Sequence, residues 1–557
     1  MRVLGIVLII VGALLGGTGG YASATYVRSG DWVLGPAAVV NPGVEHVVVS
    51  QYGLLSYDTD IRVTATSDSD LSLGTANPID TDDYTATITH ATITSLSWRT
   101  ITTTSIAADL KDPAAAPSDV DFWLSRVSGT SPELVIAPGA KVPPQVILVT
   151  TTGGPITLRV DYHVAGIRVI VFGVIGVGAA LALIGLVLFL LGIRRARRKK
   201  SRVTPVAPPV APPSYQPVPP PWMQGPVSRW VAGLVAVTLV VTSAGCSVPT
   251  MPRVPAIPSV PAIPRMPKQT SVPSRADITK VPLTSDQSTA VANDLAHRVF
   301  VARLDGYGPT FSPDKWSQAF TDLSLQTYIF DTAFAKASGE KRSAPSCSIE
   351  IETVFGSVAA AYPMTATALT KWTCGDASSV RVLAVLTRAH SYSPWFIASE
   401  SQLEDGTSLE PGKGAPANAE QQAGSAAATD LLTYLNKGTS VTVTPPADLG
   451  AFHAVYTVPT AGAVHTMSAT IVSGADKQGS FRFAKTANGI LVSASYVVTC
   501  TSSARPGYEL WWDAPLDQVL NQPGHRSVLT RKFGLFATLL LEGNTVAMVG
   551  FDVAPIL

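Results

Sequence analysis

Cysteine is scarce in this chain, with four in 557 residues. That is too few for a disulfide-built scaffold, and no Cys-x-x-Cys spacing suggests a zinc site. Charge is scarce too: Asp, Glu, Lys and Arg make up 14% of the residues, against roughly 25% in soluble domains. A disordered polyelectrolyte is therefore excluded. Familiar catalytic signatures are missing as well. There is no HExxH, GxSxG or P-loop, and the eight histidines fall at no ligand spacing. No cofactor, metal site or catalytic residue is expected, and the chain reads as a non-enzyme.

What the sequence does have is apolar sequence in runs, with a mean hydropathy of +0.27. The first run, 3–15, follows Met1-Arg2 and leads into Gly16, Gly17, Gly19 and Gly20. Ala22-Ser23-Ala24 reads as a small-x-small peptidase site, so residues 1–24 are a membrane anchor or a signal peptide. Gly12 and Gly16 would suit packing against another helix. The second run, 167–193, carries one charge, Arg168, and is long enough to span a bilayer. Gly178, Ala182 and Gly185 supply its small positions for helix packing.

Directly after it come Arg194, Arg195, Arg197, Arg198, Lys199 and Lys200. Basic side chains abutting a span mark the cytoplasmic side, so these residues are the topology determinants. Residues 25–165 hold seven basic and fifteen acidic side chains, whereas 194–229 hold eight basic and none acidic. The asymmetry predicts an exported domain followed by a cytoplasmic, basic, Pro-rich loop at 194–229, and it argues against nucleic acid as a partner.

A third apolar segment, 230–246, is short for a span. It ends in Ser243-Ala244-Gly245-Cys246, which resembles a bacterial lipobox apart from Ser243, where an aliphatic residue is usual. Cys246 is thus a candidate lipidation site. Beyond it, Pro249, Pro252, Pro255, Pro258, Pro261, Pro264 and Pro267 recur every third residue. That is the period of polyproline II, and 247–283 reads as a Pro-rich stalk.

Residues 25–165 alternate apolar and polar in short β-branched runs, at 45–49, 60–65, 84–89, 145–149 and 156–160. They predict an exported, all-β, sandwich-like domain. Asp68, Asp70, Asp80, Asp82 and Asp83 lack the spacing of a calcium loop and read as turn residues. Residues 284–405 and 419–557 each run helices first and strands second, an α+β pattern repeated. Within the first of these, strands at 348–355 and 364–373 pair as a hairpin centred near residue 360, which sets Cys347 opposite Cys374. An exported setting would close that disulfide, worth about 3–4 kcal/mol in the chain-entropy model. Cys500, inside an apolar strand, is read as a buried thiol.

The stretches Ile61-Arg62-Val63-Thr64-Ala65-Thr66-Ser67, Leu71-Ser72-Leu73-Gly74-Thr75-Ala76 and Asp121-Phe122-Trp123, with a span after the final strand, resemble a group of uncharacterised actinobacterial membrane proteins over residues 1–200. The rest resembles the exported part of actinobacterial lipoproteins and, in architecture alone, two NTF2-like halves. The resemblance implies no activity. The fold class expected is a membrane-anchored multidomain protein. Its expected role is non-catalytic, displaying two exported domains for binding or scaffolding at the outer face of the cytoplasmic membrane. Its partners would be the lipid bilayer and an envelope protein or cell-wall glycan. The alternatives are an exported hydrolase, which requires clustered carboxylates or a Ser/His pair in a deep C-terminal cleft, and an internally processed lipoprotein precursor.

Overall fold

Unbroken apolar sequence makes the two longest helices. They are α1 (Arg2–Tyr26) and α3 (Ile167–Lys200) of a computed structural model that describes residues 2–27, 31–40, 47–50, 52–54, 57–96, 100–107, 120–137, 146–151, 154–200, 267, 274–308, 310–340, 342, 345–375, 377–440, 442–472 and 481–557. The third apolar segment with Cys246, the loop beyond residue 200 and the proline-repeat part of the stalk up to Met266 lie outside these residues. Between α1 and α3 come β1 (Trp32–Val33), β2 (Ala37–Val40), β3 (Val47–Ser50), β4 (Ile61–Thr66), β5 (Leu71–Ala76), α2 (Pro78–Ala86), β6 (His90–Leu96), β7 (Ile101–Ile106), β8 (Trp123–Gly129), β9 (Glu133–Ile136), β10 (Val146–Thr151) and β11 (Ile156–His163). After α3 follow α4 (Ser285–Tyr307), α5 (Asp322–Ser338), β12 (Cys347–Val354), β13 (Met364–Cys374), β14 (Val380–Arg388) and β15 (Phe396–Leu403). The chain closes with α6 (Asn418–Lys437), α7 (Ala447–Val455), β16 (Ala463–Ile471), β17 (Phe481–Lys485), β18 (Ile490–Ala504), α8 (Leu516–Val519), β19 (Val528–Glu542) and β20 (Thr545–Ile556). By internal contacts it divides into two units, residues 1–34 with 162–267 and residues 35–161 with 268–557.

In the first unit α1 and α3 run antiparallel, with Arg2 Nε donating to the Gly192 carbonyl at 3.1 Å. Glycine is required along the seam because the backbones touch. A Cβ on Gly12 would lie 2.5 Å from Ala182 N, and one on Gly178 would lie 2.5 Å from Gly16 N. Apolar side chains cover the outside, among them Leu4, Ile10, Leu14, Phe172, Leu183 and Val187, all exposed. Both helices are long and apolar enough to cross a membrane, with mean hydropathies of 2.2 and 2.9 over their apolar stretches. The Asp31 carboxylate accepts from the N–H groups of Gly166 and Arg168, each at 3.2 Å, and so caps the start of α3.

In the second unit, 35–161 builds two sheets. One contains β2, β11, β4 and β9, and the other has the order β7-β6-β3-β10-β5-β8. The residues at 84–89, expected as a strand, instead end a helix and its turn. Asn77 Oδ1 accepts from Ile79 N–H at 2.9 Å, Pro78 fixes the first helical φ, and Asp80 sits in the first turn, so capping outweighs the β-branched run behind it. This part is therefore β-rich rather than all β. Its buried acid, Asp161, is matched by Arg62, whose Nη2 lies 3.0 Å away.

Residues 284–557 form one sheet rather than two. The order β12-β13-β14-β15-β20-β19-β18-β16, with β17 beside β18, joins both helix-then-strand halves into nine strands. A layer of Phe355, Leu369, Leu383, Leu403, Ala484, Leu491 and Val549 packs across the junction. Thr284 and Gln287 form a capping box at the start of α4. A separate 3₁₀ turn at Pro313–Gln318 precedes α5.

Candidate functional site

Two polar constellations stand out in the second unit. The first is centred on α2, whose aspartates were read as turn residues. Asp80, 1% exposed, receives Lys280 Nζ at 2.6 and 2.7 Å and the Tyr362 hydroxyl at 2.7 Å. Asp83 accepts from Ser391 N–H at 2.7 Å, with His390 Nδ1 at 3.2 Å. Arg275 pairs with Asp82. Arg388 pairs with Asp121 and donates to the Ser393 carbonyl at 2.7 Å. Ile79 enters the same apolar cluster as Ile278, Leu283 and Trp316. Residues 274–283, expected as stalk, pack into this junction, where Lys280 exchanges both backbone hydrogen bonds with Ala359 at 2.9 Å. The segment enclosed by α1 and α3 is thus clasped to the C-terminal segment by buried charge and apolar packing. Burial first, and then the Asp80 carboxylate, push the Tyr362 phenol far above its ordinary value, so it stays a donor.

The second constellation lines a cleft of about 400 Å³ between α5 and the sheet. α5 contributes Thr327, Tyr328, Phe330, Asp331 and Phe334, and β15, β19 and β20 contribute Glu400, Arg531 and Asp552. Asp331 is already engaged by the Tyr307 hydroxyl and Arg342, and Arg342 also reaches Glu340 at 3.2 Å. Glu400 accepts from Ser324 Oγ at 3.4 Å and from the Tyr328 phenol. Shortage of water around Glu400 pushes its carboxyl up to about 7, and the Asp552 charge adds to the rise against those two hydrogen bonds. Burial also raises Asp552 above the ordinary carboxyl range, and it pushes Tyr328 well up, with Glu400 reinforcing. Arg531 stacks over Phe533 at 4.7 Å, its Nε buried without a hydrogen-bond partner. A carboxyl that titrates near neutrality beside a second carboxyl can give and take protons or hold a cation.

The residues singled out in the sequence have these places. Cys347 and Cys374 are joined by a disulfide, S–S 2.10 Å, at facing positions of β12 and β13. Gly12, Gly16, Gly178, Ala182 and Gly185 share the α1–α3 seam, which also uses Gly5, missed in the sequence although a Cβ there would lie 2.7 Å from Gly185 O. Arg194 and Arg195 lie exposed near the end of α3; Arg197, Arg198, Lys199 and Lys200 complete that helix. Cys500 is a free buried thiol whose burial pushes it up to about 12, unsuited to attack. His453 lies in α7 against Tyr434, and His465 bonds Ser502 Oγ at 2.8 Å. Among the described residues no group of three His, Cys, Asp or Glu side chains is placed to hold a metal ion. The cleft itself was missed, because its residues are scattered over more than 200 positions with no local spacing to connect them. No protein family, no curated protein and no solved structure matches the chain.

Proposed function

We propose that this is a cell-envelope membrane protein in which α1 and α3 cross the cytoplasmic membrane. Residues 35–161 and 268–557 together form one body on its outer face, which binds or scaffolds an envelope component. The clasp at α2 carries this reading. A buried contact between a segment enclosed by two spans and a segment beyond the basic tract requires both to lie on one side of the bilayer. The basic residues after α3 support a cytoplasmic position for that end of the helix. The chain must then cross back between 200 and 268, and the 230–246 segment is the apolar stretch available. The exposed apolar flanks of the helix pair fit a lipid surround. We read the 35–161 sheets as a sandwich and the two helix-then-strand halves as NTF2-like repeats fused edge to edge.

Single cysteines at Val135 and Val455, 52% and 64% exposed, test the placement. A membrane-impermeant thiol reagent on whole cells is expected to label both, and a cysteine at Ser201 only after lysis. Labelling of one exported position without the other overturns the reading. The Glu400–Asp552 cleft favours a second one, an exported hydrolase; it requires turnover of an envelope substrate that Glu400→Gln abolishes while the fold is kept. Cleavage ahead of Cys246 would leave two chains held by the same clasp, and a blot with tags at both ends distinguishes that form.

A further inference from the structure

The disulfide between β12 and β13 has a cation held against it. Cys347 opens β12 and Cys374 closes β13, so the bond sits at the mouth of the hairpin. From α4, Arg303 Nη1 donates to Cys347 Sγ at 2.9 Å, and Arg303 Nε is buried without a hydrogen-bond partner. Among the described residues Arg303 forms no ion pair, and it acts on Glu400 through its charge alone. A disulfide sulfur is a neutral, weak acceptor, so the contact gains little while the bond is closed. The same guanidinium would hold a sulfur anion by a charge-assisted bond, roughly twice as strong as a neutral one. The contact therefore favours the opened state in which Cys347 is a thiolate. Burial opposes that anion, since Cys347 is 7% exposed. At Cys500 burial prevails, because Arg531 acts there only through its charge. At Cys347 the donor touches the sulfur itself. Cys374 is the more open of the two, half-buried beside the exposed Gly375.

We propose that Cys347–Cys374 is an exchangeable disulfide, opened by a dithiol reductant at Cys374 with Cys347 departing onto Arg303. A thiolate of the reductant attacks Cys374 Sγ and forms a new S–S bond there. The Cys347–Cys374 bond breaks, and its electron pair leaves on Cys347 Sγ. The reductant's second thiol then attacks its own sulfur in the mixed disulfide, and Cys374 leaves and takes up that thiol's proton. The protein gains two electrons, and the reductant ends as a disulfide. The other proton passes to water because Cys347 stays ionised. Every group in this step belongs to the second unit, so the assignment goes beyond the envelope placement and stands without it.

The test uses the full-length protein in detergent. Brief exposure of the oxidised form to glutathione, quenched with acid and read by peptide mass spectrometry, is expected to leave the adduct on Cys374. An adduct on Cys347, or none, overturns the proposal. After reduction by dithiothreitol, ultraviolet absorbance at about pH 7 is expected to show about one thiolate per chain. Absence of a thiolate overturns it as well. Arg303→Gln should remove that thiolate and slow opening by dithiothreitol about tenfold, and Arg303→Lys should keep most of both. Opening of the Arg303→Gln protein at an unchanged or faster rate means that the guanidinium does not assist the leaving sulfur. The adduct and the thiolate are read on the unaltered protein, so a variant that fails to fold does not shelter the assignment.

Discussion

The clasp and the cleft are built from the same residue types and differ in bookkeeping. Around α2 each carboxylate has a partner: Asp80 meets Lys280, Asp82 meets Arg275, Asp83 meets His390, and Asp121 meets Arg388. In the cleft, Glu400 accepts from Ser324 Oγ and the Tyr328 phenol and feels the charges of both Asp552 and Arg303, but among the described residues it forms no ion pair. Matched charge fixes one segment against another, whereas a carboxyl withdrawn from water without a close counter-charge is held toward its protonated form. The contrast separates an ion-paired junction from a cleft whose carboxyls lean toward neutrality.

Breaking the clasp at its most buried member gives the largest expected effect. Asp80→Ala leaves Lys280 and the Tyr362 hydroxyl without their acceptor, and a loss of about 3–5 kcal/mol is expected in denaturant unfolding of the full-length protein. A loss under about 1 kcal/mol would make the pair dispensable. Next in size is Cys374→Ser, which opens a cross-link of sequence separation 27 and should cost about 3 kcal/mol in the same assay.

The cleft responds to pH in the opposite sense to a matched acid. The unfolded chain deprotonates Glu400 at its ordinary value of 4.5 and the folded protein near 7, so this residue lowers stability as pH rises across that window. Glu400→Gln is expected to flatten that decline in unfolding midpoints between about pH 4.5 and 7. An unchanged slope would place the carboxyl in ordinary water. The smallest effect belongs to Asp82→Asn at the rim, where the pair with Arg275 is largely exposed; a loss under about 1 kcal/mol is expected in the unfolding assay.

Local physics was legible in the sequence where neighbours in the chain decide it. The hairpin of β12 and β13, and the register that faces Cys347 with Cys374, follow from short-range pattern. The glycine seam was legible too, because small residues at four-residue spacing leave few other uses in an apolar helix. The helix at Pro78–Ala86 was legible in principle from Asn77, Pro78 and Asp80, but the threonines at 85, 87 and 89 favoured a strand. What local pattern does not encode is which distant edges meet. The joining of β15 to β20, the reach of Lys280 to Asp80 and the gathering of Glu400, Arg531 and Asp552 are all long-range choices, made by packing after the elements exist.

The join between the two halves of the long sheet is narrow: Gln402↔Phe551, Leu403↔Gly550 and the Glu404 N–H to the Val549 carbonyl at 2.9 Å. By comparison, β18 and β19 are stitched over fourteen consecutive pairs, from Ile490↔Leu541 to Ser503↔Val528. Glu400 and Asp552 stand on opposite banks of this thin suture. Few backbone bonds hold the halves along that line, so the side-chain layer of Phe355, Leu383, Leu403, Leu491 and Val549 carries the rest of the join.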